Sequence, residues 1–586
     1  MPDSRTSPQA GEPLSEPWAG WDWLVLLALP AVLLALDPRW LYGKVGRDEW
    51  IYYGYFRFAR LDLAEFPQLY YSSRLSVILP GYLARHLLPP LAAQITLHLL
   101  LYGAATGAFY FVARSWTGRR AALLALLVLG SQPFFLLPLG WNYVDGFGIT
   151  YFLLAAACLT LAAHTTGGRR AAGLSAAGGL LVAIVSANLF YAIYGPFLAA
   201  FYLAIRRGPV EGEGGVDRAP LLREGLWAAL GAGFGLGFLA FVGHFWGHGP
   251  LGFLTATSRF LFTFAQKTNP FRIPPRLWLG RAYWLSFPVA VLLASLAVLW
   301  RCRPSQRWGE GRRPAGRLVL LYLAFFAAMG GVQLLPQGIT LQIRYYASLL
   351  LPLAGLALAG QLSLLVEELS PRAFAWLAGG AALGLLVAAA PWGPSLAALP
   401  PPWGVLLPLM VAAGPVLILA LRRRGRHSAW AFVSCLVVSQ LLVWSVARGE
   451  VHQNPGLRQP GFFLEVDQIL TLLRAADPTL HLRLWYDDRE DASRLYDATA
   501  SALLLCPRIF TTSFPDPRGG RMCDGTPLRP GLTIAVLSAR PEAEVARAAV
   551  SAVESVGQRA HVLRQTRIPG PEQVTLTLLA TQEGAP

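Results

Sequence analysis

Charge is scarce in this sequence, and acid is scarcer than base. Only 14% of the 586 residues are Asp, Glu, Lys or Arg, against 54% hydrophobic, and the mean hydropathy is +0.45. That balance excludes an assembly of ordinary soluble domains. Cysteine is also sparse. Of five, Cys158 and Cys435 fall in apolar runs, Cys302 in a basic loop, and Cys506 and Cys523 near the C-terminal end, with no metal-ligand spacing among them. Cys506 and Cys523 could close a short disulfide loop in an oxidising compartment or stand as two free thiols. No secretory leader is expected at this end: residues 1–20 are polar, contain proline and carry acids beside Arg5, so the first apolar run is expected to be a retained anchor.

What fills the chain instead is apolar sequence. Runs long enough to cross ~30 Å of hydrocarbon at ~1.5 Å per helical residue recur from Trp23 to Val446 and then stop. They predict a polytopic α-helical membrane protein of about 13 transmembrane helices, near 23–36, 91–112, 121–139, 147–163, 171–187, 189–205, 226–245, 284–299, 318–335, 346–366, 374–390, 405–421 and 429–446. The fifth and sixth form one apolar block, divided at Ser186, Ala187 and Asn188. The formal charge of +16 points to topology rather than nucleic acid, because most arginines of the membrane region stand in short loops on one side: 114–120, 169–170, 206–223, 301–317, 372 and 422–426. The turns at 140–145, 186–188 and 391–402 carry no Lys or Arg. By the positive-inside rule the N-terminus is cytoplasmic, and the protein is expected in the inner or plasma membrane.

Three regions follow: a cytoplasmic tail over 1–20, a membrane region over 21–447, and a small extracytoplasmic α/β domain over 448–586. In the last, helices are expected over 461–475, 491–505 and 542–556, and strands over 481–485, 532–538, 560–564 and 573–579. Glycines at 231, 233, 235 and 237 in the seventh run read as a close helix–helix contact rather than chemistry. His244 and His248 have the spacing of a shared metal site but no evident third ligand.

Two outside loops, 37–90 and 247–283, are long and basic where topology does not ask for charge, and they mix it with aromatics and proline as interfacial helices do. The first contains Asp48 and Glu49 ahead of an aromatic stretch, then Tyr70, Tyr71, Ser72, Ser73 and Arg74. Capping accounts for acids in a first helical turn, but not for the aromatics and arginine that follow. A second outside acid, Asp145, sits in the turn Gly140 to Phe147. Two carboxylates at one boundary can divide the work of group transfer, one as general base and one orienting the acceptor. A phosphate leaving group needs fixed positive charge, for which Arg74, Arg259, Lys267, Arg272 and Arg344 are available. Arg344, ahead of Tyr345 and Tyr346, is the favoured one, although an interfacial arginine reaching headgroups has the same spacing.

At these residues the chain resembles the GT-C-fold membrane glycosyltransferases, in the branch of protein O-mannosyltransferases, bacterial aminoarabinose transferases of lipid A and related lipopolysaccharide transferases. The resemblance covers the first run through about Arg207 and the Arg344, Tyr345, Tyr346 segment. It implies a sugar carried on polyprenyl phosphate and moved to a lipid, glycan or protein acceptor on the outer face. Asp48 would be the catalytic base, with Glu49 beside it in the acidic motif and Asp145 as second acid. Arg344, Arg74 and Lys267, with Tyr345, would meet the lipid phosphate. Two departures stand out. Leu75 and Ser76 follow Arg74 where many members have proline, and the acids Asp48 and Glu49 are adjacent rather than separated as in metal-dependent relatives. No cofactor is assigned, a divalent cation staying the open option. The alternatives are a flippase of a lipid-linked sugar and an inactive scaffold; the near-absence of charge within the spans and of an internal repeat speaks against the flippase.

Overall fold

The computed structural model describes residues 20–582 apart from 43–46, 66, 68, 207–217, 267–271, 302–312, 336–337, 367–368, 392–402, 421–425, 452–459, 477–481, 488–491, 504–512, 515–530, 532, 555–556 and 571–573. Lys267, Cys302, Cys506 and Cys523 lie outside the described residues.

Among the described residues ten helices are long and apolar enough to cross a membrane: Pro90–Thr117, Val144–His164, Gly167–Ala187, Leu189–Arg206, Leu221–Phe245, Tyr283–Trp300, Gly316–Leu334, Arg344–Val366, Pro371–Ala389 and His427–Arg448. An eleventh crossing is the pair Arg119–Gly130 and Pro133–Gly140, bent by 66°. The bend follows from sequence: Pro133 has no N–H to continue the first helix, and the Gln132 side chain caps the second by accepting from the Phe134 N–H at 2.5 Å. Asp22–Leu36 is a shorter apolar helix, and Trp403–Ala420 is an apolar helix of 18 residues. Each predicted run thus falls on helical residues, 121–139 on the bent pair, while among the described residues length and apolarity together select ten or eleven as spans. The division at 186–188 is real: Asn188 turns extended (φ −159°, ψ 128°) and its side chain caps the next turn at Phe190.

Arg344–Val366 runs through the middle of the bundle, 94% of its apolar window buried, whereas Leu221–Phe245 is only 17% buried and lies at the periphery. That peripheral helix packs on Gly167–Ala187 through its glycines. A Cβ on Gly231 would meet the Ser175 carbonyl and one on Gly178 the Ala228 carbonyl, while Gly233 and Gly237 face open space. At one end of the bundle acids meet the loop arginines: Asp22 pairs with Arg119 at 2.7 Å and Arg114 at 3.4 Å, and Glu224 with Arg206 at 3.0 Å and Arg170 at 3.1 Å.

The opposite end carries two helices that do not span, Arg47–Glu65 and Leu75–Leu87, joined through a 3-10 turn at Tyr70–Ser73. They pack closely, for a Cβ on Gly81 would enter the Phe56 ring. On them sits the C-terminal region. Among its described residues five strands, β1 (Leu482–Asp487), β2 (Ser513–Phe514), β3 (Thr533–Ser538), β4 (Arg559–Arg567) and β5 (Thr575–Gln582), form one mixed sheet in the order β2-β1-β3-β5-β4. β1 is parallel to β2 and β3, and β5 is antiparallel to β3 and β4. Helices Pro460–Ala476, Ala492–Ala502 and Glu542–Glu554 complete it as the alternating sequence pattern predicts. Trp50 packs against Phe462 and Phe463 at 5.9 and 6.2 Å, so the sheet region is seated on the Arg47–Glu65 helix.

Candidate functional site

Five elements bring their ends to one place: the start of Arg47–Glu65, the Tyr70–Ser73 turn, the start of Val144–His164, the break at Asn188, and the turn Arg344–Ala347. Asp48 stands in the first turn of its helix, half-buried, and its Oδ1 accepts a hydrogen bond from the Tyr71 hydroxyl at 2.8 Å. An acid there also gains from the helix dipole. Glu49 is buried and lies about 100° around the helix from Asp48, since 3.6 residues make a turn.

Arg74 is the buried cation of this group. Its guanidinium carbon lies 4.4 Å from the Tyr70 ring centroid, 5.6 Å from those of Tyr52 and Tyr71, and 6.0 Å from that of Tyr143. It also donates to the Tyr52 hydroxyl. A planar guanidinium packed among aromatic faces keeps its charge in a poorly hydrated place, which an ammonium does less well.

Asp145, fully buried, accepts from the Tyr191 hydroxyl at Oδ1, and its Oδ2 has no hydrogen-bond partner among the described residues. Tyr191 reaches it because Gly148 has no side chain; a Cβ there would run into the Tyr191 ring. Tyr143 lies against Arg74 and within the electrostatic reach of both acids. Burial foremost, then Tyr346 and the Asp48 and Asp145 carboxylates, hold its phenol well above the usual range, with Arg74 acting against them. Tyr143 therefore remains a proton donor at neutral pH.

The far wall is aromatic. Tyr345 lies 4.7 Å from Tyr346, 5.7 Å from Tyr143 and 6.1 Å from Trp141. Arg344 is half-buried at the head of that turn, beside Tyr345. Asn188 accepts from the Tyr70 hydroxyl at 3.2 Å, which fixes the ring against which Arg74 stacks.

Of the residues singled out from sequence, Asp48, Asp145, Arg74 and Tyr345 converge here. Arg344 lies at the edge, Glu49 on another face of its helix, and Lys267 outside the described residues. The tyrosines at 52, 71 and 191 carry hydrogen bonds of the site and Tyr143 carries ring contacts, and sequence reasoning gave them no role. Tyr191 could have been found from its place just past the Asn188 break, on the same side as Asp145. His248 braces the first loop: its Nε2 meets Ser72 Oγ at 2.9 Å and the Pro67 carbonyl at 2.8 Å. Among the described residues no three His, Cys, Asp or Glu side chains are grouped to hold a metal ion.

No protein-family model and no curated protein matches the chain. Among solved structures, it is similar to the crystal structure of ArnT from Cupriavidus metallidurans in the apo state, at 16% identity over 95% of this chain and 98% of that one, with a TM-score of 0.46. The likeness is one of overall chain course and assigns no residue a role.

Proposed function

We propose that this chain is an integral membrane glycosyltransferase of the GT-C type, moving a sugar from a polyprenyl-phosphate carrier to a lipid, glycan or protein acceptor on the outer face. The carrying observation is the convergence of the Asp48 and Asp145 carboxylates and the Arg74 guanidinium around Tyr143, at the end of an apolar bundle where a lipid carrier would present its headgroup.

Chemically the parts suffice. The acceptor hydroxyl or amine gives its proton to Asp48, the half-buried and therefore reachable acid, as its lone pair attacks the anomeric carbon. The bond from that carbon to the phosphate oxygen breaks, and the phosphate leaves with both electrons. Arg74 meets the charge that develops on it, in surroundings where water competes little. Asp145, with one acceptor oxygen free of partners among the described residues, orients a hydroxyl of donor or acceptor. Tyr345 and Trp141 offer ring faces to the sugar. Arg344, at the head of the turn that carries Tyr345, is assigned here as the second cation for the phosphate, and no metal ion is required by this scheme.

The orientation follows the arginine loops: N-terminus and the Asp22 and Glu224 ion clusters inside, the C-terminal domain outside. The test is transfer of radiolabelled sugar from polyprenyl-phosphate donors in membranes. Asp48→Asn is expected to lose about 10²- to 10⁴-fold, the usual contribution of a positioned base. Undiminished transfer by Asp48→Asn and by Asp145→Asn, with normal insertion, overturns the assignment.

A further inference from the structure

The helix that carries Asp48 and the helix that follows Arg74 are joined at a single carboxylate of the C-terminal region. Asp467 Oδ1 accepts from the Tyr53 hydroxyl at 2.5 Å, from Arg57 Nη1 at 2.6 Å and from Arg85 Nη2 at 3.0 Å. Tyr53 and Arg57 belong to Arg47–Glu65, and Arg85 to Leu75–Leu87. Arg57 also donates to the Asp467 carbonyl at 2.6 Å and to Thr471 Oγ1 at 2.5 Å. Around this point Phe463 lies 4.9 Å from Tyr53, and Arg474 is 4.8 Å over the Phe58 ring. Gly54 admits the Ala502 backbone, where a Cβ would strike its carbonyl.

We infer that Asp467 is a positioning residue: it fixes the spacing of the two helices and, through them, of Asp48 and Arg74. Three observations support this. Tyr53 is the neighbour of Tyr52, which receives Arg74, so the site and the clamp grip two faces of one helical turn about 100° apart. Both arginines are largely buried, with side chains 13% and 16% exposed, and Asp467 lies between them. Without its charge two guanidiniums would face each other in a poorly hydrated place, and the helices would part. A group-transfer site tolerates little of that, since a misplacement of about 1 Å costs about 10²-fold.

The inference rests on the proposed transferase reading, and its test separates the two. In the full-length protein in lipid nanodiscs, hydrogen–deuterium exchange is followed in peptides covering 47–65 and 75–87 for wild type, Asp467→Asn and Asp467→Glu. Faster exchange in both segments in Asp467→Asn, with Asp467→Glu closer to wild type, is expected. This readout does not depend on any reaction. In the transfer assay, Asp467→Asn is expected to lower kcat by about 10- to 100-fold with the donor KM changed less than about threefold, and Asp467→Glu to recover most of it. Unchanged exchange in either segment overturns the clamp. Faster exchange with kcat unchanged overturns the link to the site. If wild type transfers no sugar from any lipid carrier, the transferase reading fails and the exchange result still decides the clamp.

Discussion

Arg74 presses its guanidinium on four tyrosine rings while donating to one of their hydroxyls, so lysine, with the same charge, cannot replace it. Losing a charge-assisted hydrogen bond costs about 1.5–3 kcal/mol, and Arg74→Lys is accordingly expected to lower kcat/KM for the lipid donor about 10- to 100-fold, measured as initial rates in proteoliposomes. His248 makes a prediction of opposite character, in pH. Burial, opposed by its bond to the Pro67 carbonyl, holds the imidazole below its usual range. The folded state thus favours the neutral ring, so the contribution of His248 is present above about pH 6.5 and fades as pH falls below it toward the lower folded value. Since His248 braces the turn at Ser72, the melting temperature should drop on acidification through that range, and less so in His248→Gln. At this scale the acids were legible, because a carboxylate at an apolar boundary stands out in any reading. The prominence of Arg74 was not. Its setting depends on Tyr143, far off in sequence, and no local spacing shows that two loops will fold around one guanidinium. Arg344 drew attention for its place before an apolar helix, which position alone makes visible.

Helices in this molecule owe their placement to where side chains are absent. Gly148 leaves room for the Tyr191 ring, and Gly148→Ala is expected to push the phenol off Asp145 and reduce transfer without unfolding the bundle, as thermal melting in detergent would show. Gly231 lets its helix approach the Ser175 carbonyl, whereas Gly233 faces open space. Gly231→Leu should therefore destabilise by about 1–3 kcal/mol, as overpacking does, and Gly233→Leu should melt like wild type. Equal melting of both would contradict the packing. The apolar runs and their polar punctuation were readable from hydropathy because lipid leaves the backbone few options. Bends were harder. A single apolar run over 121–139 hides the 66° turn between its halves, since hydropathy measures how greasy a segment is and says nothing of its axis. Pro133 was the available signal.

The molecule as a whole has one end where acids answer arginine loops and another where amphipathic helices bear a small mixed sheet. Which end faces out is tested with single cysteines in a background free of native ones. Arg547→Cys, exposed on the Glu542–Glu554 helix, should react with a membrane-impermeant maleimide in intact cells, and Arg169→Cys only after lysis. The reverse pattern would invert the topology. The alternating helices and strands after Glu450 were visible in sequence, but their seat was not: the contact of Tyr53 with Asp467 spans 414 residues, and no local pattern carries such a distance. That separation also sets an order of assembly. At the roughly 5–20 residues per second of translation, about 20–80 seconds pass between the emergence of Tyr53 and that of Asp467. During that interval the spans are made and inserted one after another while the Arg47–Glu65 helix lacks its last neighbour, so a chain stopped short of Asp467 would be membrane-bound without the contact that ties its two interfacial helices together.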